Sequence, residues 1–157
     1  MKPRKNKLPR LSYSLMDELM ANAVQPLTEQ KQRTYLSRVR RAYDEMCGEE
    51  PSYAAADLCI DVIGMVEALV TLGIAEDGSG LIHDAQVALG YAVRMYPEGP
   101  AQPLTPEGAH SVQSVIDDYA EMMAVLPART MIHCHRNAEK QRKNLITTTL
   151  TQRKQHV

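Results

Sequence analysis

The stretch MIHCHRNAEKQRKN, residues 131–144, sets Cys134 between His133 and His135 and follows them with a run of bases. Thiolate and imidazole are the ligands that zinc prefers, so the trio invites a metal reading. Helical geometry opposes it, because each residue advances about 100° and the two imidazoles would point about 200° apart. They cannot hold one ion together. The stretch reads instead as a basic helix whose apolar seam is Met131, Cys134 and Ala138, with both histidines at its margins.

Glu107 and His110 have the ExxH spacing of di-metal carboxylate bundles. Such a site needs two ExxH motifs and two further inward glutamates, and this one stands alone in the first turn of its helix. Asp57 and Asp61, one turn apart, have the spacing of a general acid/base pair, yet on an otherwise apolar helix they read as a solvated stripe. The DGSG at 77–80 lacks both the preceding strand and the full spacing of a phosphate loop, so a turn is expected there. No GxSxG, HExxH or GxxxxGK[ST] occurs. The chain is therefore expected to be no enzyme and to hold no resident metal or cofactor, with a metal-dependent enzyme as the third-choice reading.

The elements that carry these residues are helical. Apolar side chains recur at 3/4 spacing nearly throughout, and no clean period-two alternation competes. With no Phe or Trp and nine methionines, the core must come from Leu, Ile, Val, Ala and Met, which suit helices better than sandwiches. The expected fold is an all-α, single-domain bundle of five or six helices: a basic tail over 1–11, the bundle over 12–144 and a tail or helix extension over 145–157.

The first helix is expected from Ser14 to Pro26 and the second from Thr28 to Gly48, burying Tyr35, Leu36, Val39, Tyr43 and Met46. The third follows Ser52 and is apolar nearly all round, which makes it the central helix. Its narrow stripe of Asp57, Asp61, Gly64, Ala68 and Thr71 either faces water or, at Gly64 and Ala68, admits a close helix neighbour. A fourth helix is expected over about 79–96, with Leu81, Ala85, Ala88, Ala92 and Met95 inward. A proline-rich loop, PEGPAQPLTPEG, leads to Thr105 and Pro106, a cap-and-first-turn pair for the fifth. No Ser, Thr, Asp or Asn stands just before Pro127 to cap a new helix, so the fifth is expected to continue, kinked at Pro127, to about Lys143.

The run from Leu58 to Ile74 has nearly the length of a membrane span but contains Asp61 and Glu67, which argues for a buried core helix. Three cysteines with no CxxC pair suit a reducing compartment, and the basic start MKPRKNKLPR is not followed by an apolar signal region. A cytoplasmic protein without membrane contact is expected.

The net charge of −1 conceals three blocks. Residues 1–41 hold ten bases against three acids, residues 42–128 hold fifteen acids against Arg94 alone, and residues 129–157 hold seven bases against Glu139. Three readings compete. The basic ends pair with the acidic middle inside the bundle; or they form a phosphate-binding patch through Arg33, Arg40, Arg136, Lys140 and Lys143; or the middle, through Asp57, Asp61, Glu67, Asp117, Asp118 and Glu121, meets a basic surface on another protein. Arg40 with Asp44 and Arg41 with Glu45 stand at i,i+4, so part of the positive charge has local partners.

The segment VIDDYAEMMAVLPARTMIHCHRNAEKQRKN, together with PRKNKLPR near the start, resembles small all-helical proteins of bacteriophages and mobile elements of proteobacteria. Those proteins carry no assigned activity, so the resemblance gives no residue a role. It implies a setting in which small helical proteins regulate the element or disable host machinery. The expected function is a non-enzymatic interaction protein that binds host or element machinery handling nucleic acid; the alternative is direct contact with DNA or RNA through the basic ends.

Overall fold

The computed structural model describes residues 24–94 and 100–140. Residues 14–23 of the first expected helix, Met95 and everything beyond Lys140 lie outside them, and residues 24–26 are not helical. The described residues form a single all-helical domain of five packed helices without a strand. They are α1 (Glu29–Met46), α2 (Tyr53–Thr71), α3 (Ile82–Ala92), α4 (Pro106–Val125) and α5, described over 128–140. None of the described helices is long and apolar enough to cross a membrane.

Three helices start where the cap chemistry places them. The Thr28 hydroxyl accepts from the Lys31 amide, Ser52 from Ala55 and Thr105 from Gly108, each satisfying one otherwise orphaned donor of a first turn. Pro106 sits at the start of α4, where its missing N–H costs nothing.

Helix α2 lies at the centre, packing on α1, α3 and α4, and buries Ala55, Leu58, Cys59, Val62, Ile63, Met65, Val66 and Leu69. Onto it α1 presents Tyr35, Val39, Ala42 and Met46, with Leu36 and Tyr43 half-buried at the margin. Helix α4 contributes Val112, Val115, Ile116, Tyr119, Met122 and Met123. The expected face of α3 is shifted by a residue at two positions: Ile82, Ala85, Leu89 and Ala92 point inward, while Leu81 and Ala88 are half-buried.

That shift has a local cause. Gly80 has φ +72, so no helix can run through it, and α3 begins at Ile82 rather than near Ser79. The loop from Ala101 to Leu104 folds back on the bundle, with the Leu104 amide donating to the Met46 carbonyl at 2.9 Å. An open acceptor at the end of α1 is satisfied in this way.

The helix does not continue through Pro127. It stops at Val125, Leu126 turns extended with ψ 148, and a new helix starts at residue 128. The proline ring excludes the residue before it from helical backbone, and here that steric rule outweighs the lack of a capping side chain. The Ala128 amide instead donates to the Gln25 carbonyl at 2.8 Å, a partner distant in sequence.

The restart swings α5 across the stripe of α2. A Cβ built on Gly64 would stand 3.8 Å from the Ala138 Cβ, so the close-neighbour reading of this glycine holds. Gly108 is tighter still: a Cβ there would meet the Ala88 Cβ at 2.8 Å, where α3 and α4 press together. Gly108→Ala is accordingly expected to destabilise the protein by about 1–3 kcal/mol through overpacking. Gly64→Ala is expected to be neutral or to stabilise by up to about 1 kcal/mol through helix propensity. Urea unfolding of the two variants checks both signs.

Candidate functional site

Six acids and five bases were expected to face partners, and the folded chain distributes them unequally. Arg40 reaches across from α1 to α4 and donates to Asp117 at 2.8 Å. This pairs the basic first block with the acidic middle, although at the half-exposed surface such a contact is worth under about 1 kcal/mol. Arg33 pairs along its own helix with Glu29 at 3.4 Å, and Arg38 lies over the Tyr35 ring, 5.9 Å from its centre. Arg136 is half-buried and already engaged by another group. Lys140 is exposed, and Lys143 lies outside the described residues.

Among the acids, Glu67 accepts from the Gln86 amide, joining α2 to α3. Asp57 is half-buried and engaged. Asp61 is 7% exposed and also engaged, so the stripe is not solvated there. One turn further along the same stripe, Gly64 lies against Ala138 of α5, so this side of α2 is packed rather than open to water.

Asp118, only 9% exposed, accepts from the Ser79 amide at 3.2 Å and lies against Gly78. Within the same DGSG turn, Asp77 accepts from the Gly80 amide at 2.9 Å and Ser79 from the Leu81 amide at 3.2 Å. The turn is thus held by its own side chains and fastened to α4 by Asp118. An acid expected to meet a partner also fixes a loop.

The fastening creates one wall of a groove. Its other wall is the face of α4 given by Asp118, Glu121, Met122 and Val125, at spacings of three and four. Ile74 and Glu76 come from the loop, and the open space between the walls is about 400 Å³. The loop departs from α2 through a Schellman stop: Gly73 has φ +72 and donates to the Val70 carbonyl at 3.0 Å, while Ile74 donates to the Leu69 carbonyl at 2.9 Å. Ile74 is 44% exposed and Val125 72% exposed, and the rim acids Glu76 and Glu121 are exposed as well. Among the described residues neither rim acid makes an ion pair. Sequence reasoning found Glu121 and missed Glu76, whose only signal was its place just beyond a glycine helix stop.

The histidine cluster divides in two. His133 is exposed, whereas His135 is 3% exposed, inside the core rather than at its margin. The inward face of α5 is Ala128, Met131, Ile132, His135 and Ala138, with Cys134 half-buried beside it. His135, Tyr35 and Tyr119 line a cavity of about 20 Å³. Substrate pockets measure roughly 300–1,000 Å³, so this one has room for a water and not for a substrate. Glu107 and His110 are exposed on the first turns of α4, and among the described residues no three His, Cys, Asp or Glu side chains gather as metal ligands.

No protein-family model, no curated protein and no solved structure matches the chain.

Burial pushes the Cys59 thiol up to about 12 from 9.0, with Cys47 adding to the shift, and it pushes the Tyr119 hydroxyl up as well. Both groups fold as neutral acids. Their contribution to stability is therefore complete below the unfolded value, 9.0 for Cys59, and is lost as pH rises towards 12. Urea unfolding followed against pH should show stability declining above that lower value. An alkylating reagent at neutral pH should label exposed Cys47 in the native protein and Cys59 only after unfolding.

Asp118→Ala leaves the Ser79 amide without its acceptor and is expected to cost about 1–3 kcal/mol. Glu121→Ala, on the rim, should change stability by less than about 0.5 kcal/mol. Thermal unfolding of both variants checks the contrast.

Proposed function

We propose that this chain is a non-enzymatic interaction protein that uses its acid-rimmed groove to bind a protein of the host or element machinery handling nucleic acid. One observation carries the reading: three of the five bases expected to contact phosphate, Arg33, Arg40 and Arg136, are engaged while Lys140 stays exposed, and the acids Glu76 and Glu121 stand open beside exposed apolar side chains. Arg33 faces Glu29, Arg40 faces Asp117 and Arg136 is engaged. Glu76 and Glu121, by contrast, flank Ile74 and Val125 across open space. An apolar floor with a charged rim is the usual anatomy of a protein interface, and outward acids repel phosphate backbones. The setting implied by the resemblance supplies the kind of partner. Proteins that handle nucleic acid are rich in basic surface, which complements this rim.

Pull-down from a bacterial lysate, with and without nuclease, tests the reading. The expected result is a protein partner retained after complete digestion. In a parallel gel-shift titration, duplex DNA, single strands and structured RNA should not shift at micromolar protein. Loss of every partner on digestion, with a shift whose affinity falls by a slope of about −0.9 per neutralised phosphate, would replace this reading with direct backbone binding.

A further inference from the structure

We infer that the groove receives a basic amphipathic segment of its protein partner, setting Lys or Arg against Glu76 and Glu121 and large apolar side chains against Ile74, Met122 and Val125; the inference rests on the protein-binding reading above.

The occupant follows from the chemistry of the walls. Ile74 and Val125 expose apolar surface to water, at 44% and 72%, with Met122 buried behind them as the floor. Covering that surface drives association, and only an apolar side chain gains from contact with it. The rim then selects the sign of the flanking charge. Glu76 and Glu121 are exposed with no ion pair, and no base lines the groove, among the described residues.

Helix ends add to the same field. The last turn of α4 lines the groove, and α2 ends at Thr71, three residues before Ile74. Each C-terminus carries the negative pole of its helix, and neither last turn holds a basic residue to offset it. Carboxylates and helix poles together favour cations at this site and disfavour an acidic peptide or a nucleic-acid strand. They also disfavour a second copy of the chain bringing the same acidic groove.

Shape argues for a segment rather than a folded surface. The open volume of about 400 Å³ runs between a helix face and a loop and has room for side chains of a docking chain. Its walls are fixed before binding: Gly73 sets the exit from α2, and Asp118 holds the loop through the Ser79 amide. A preformed groove spends little ordering entropy of its own on association.

Fluorescence anisotropy on the full-length protein tests the inference with three labelled 14-residue peptides. One carries Leu at helical 3/4 spacing with Lys elsewhere, the second has Glu in place of Lys, and the third has Ser in place of Leu. The Leu/Lys peptide should bind saturably, and both others at least tenfold more weakly. Glu76→Lys with Glu121→Lys, and separately Val125→Asp, should each weaken the Leu/Lys peptide at least tenfold, with circular dichroism and melting temperature confirming that each variant folds. Equal binding of the Leu/Glu peptide, no saturable binding of the Leu/Lys peptide, or unchanged affinity in both variants would overturn the inference. A dimer abolished by the same variants would give the groove to a second copy, and tighter peptide binding after replacing Lys2, Arg4, Lys5, Lys7 and Arg10 with Gln would give it to the chain's own start. Either result also overturns it. Lysate capture separates the two levels: a nuclease-resistant partner retained equally by the groove variants leaves the protein-binding reading standing and removes this inference alone.

Discussion

A helix that is apolar on nearly every side is stable in water only when neighbours cover most of its circumference, and α2 imposes that demand on the whole chain. Ten of its nineteen residues are buried, which is more than one neighbouring helix can cover. Helices α1, α3 and α4 pack around it, and α5 covers the stripe at Gly64. Small residues at the crossings let the helices approach closely, as Gly108 against Ala88 and Gly64 against Ala138 show. The absence of Phe and Trp is consistent with this design, because Met46, Met65 and Met123 fill space with unbranched side chains that adapt to irregular gaps.

The groove is a by-product of the same demand. To enclose α2, the chain must leave it at Gly73, cross to α3 and return on α4, and the crossing loop is held down by Asp118. Between that loop and the end of α4 the bundle has no covering helix among the described residues. Apolar groups therefore meet water at Ile74 and Val125. Charge follows a similar logic. The blocks seen along the chain are partly reconciled in space, where Arg40 finds Asp117, and partly not, where Glu76 and Glu121 remain outward.

Local chemistry made much of the fold legible. Thr28, Ser52 and Thr105 cap their helices as their residue types require, and Pro106 opens α4. The inward residues of α1 and α4 follow 3/4 spacing closely. Legibility failed where a distant partner decided the outcome. Asp61 and His135 look exposed or marginal along their own helices until tertiary packing buries them, and Asp118 looks like a surface acid until the Ser79 amide arrives. At Pro127 two local rules competed, and the extended backbone of Leu126 together with the contact from Ala128 to Gln25 shows which arrangement the chain adopts.

The helical class, the identity of the central helix and most helix starts follow from local chemistry, because caps, glycine stops and apolar periodicity act between residues a few positions apart. The segregation of charge is equally a property of the linear chain. Tertiary structure alone decided which acids stay exposed, since Asp117 and Asp118 are adjacent in sequence yet one meets an arginine from α1 and the other a loop amide from between α2 and α3. It likewise brought Glu76 and Glu121, forty-five positions apart, to one groove. Burial and pairing of a charge depend on which elements pack around it, and that is a property of the assembled bundle rather than of any short stretch of chain.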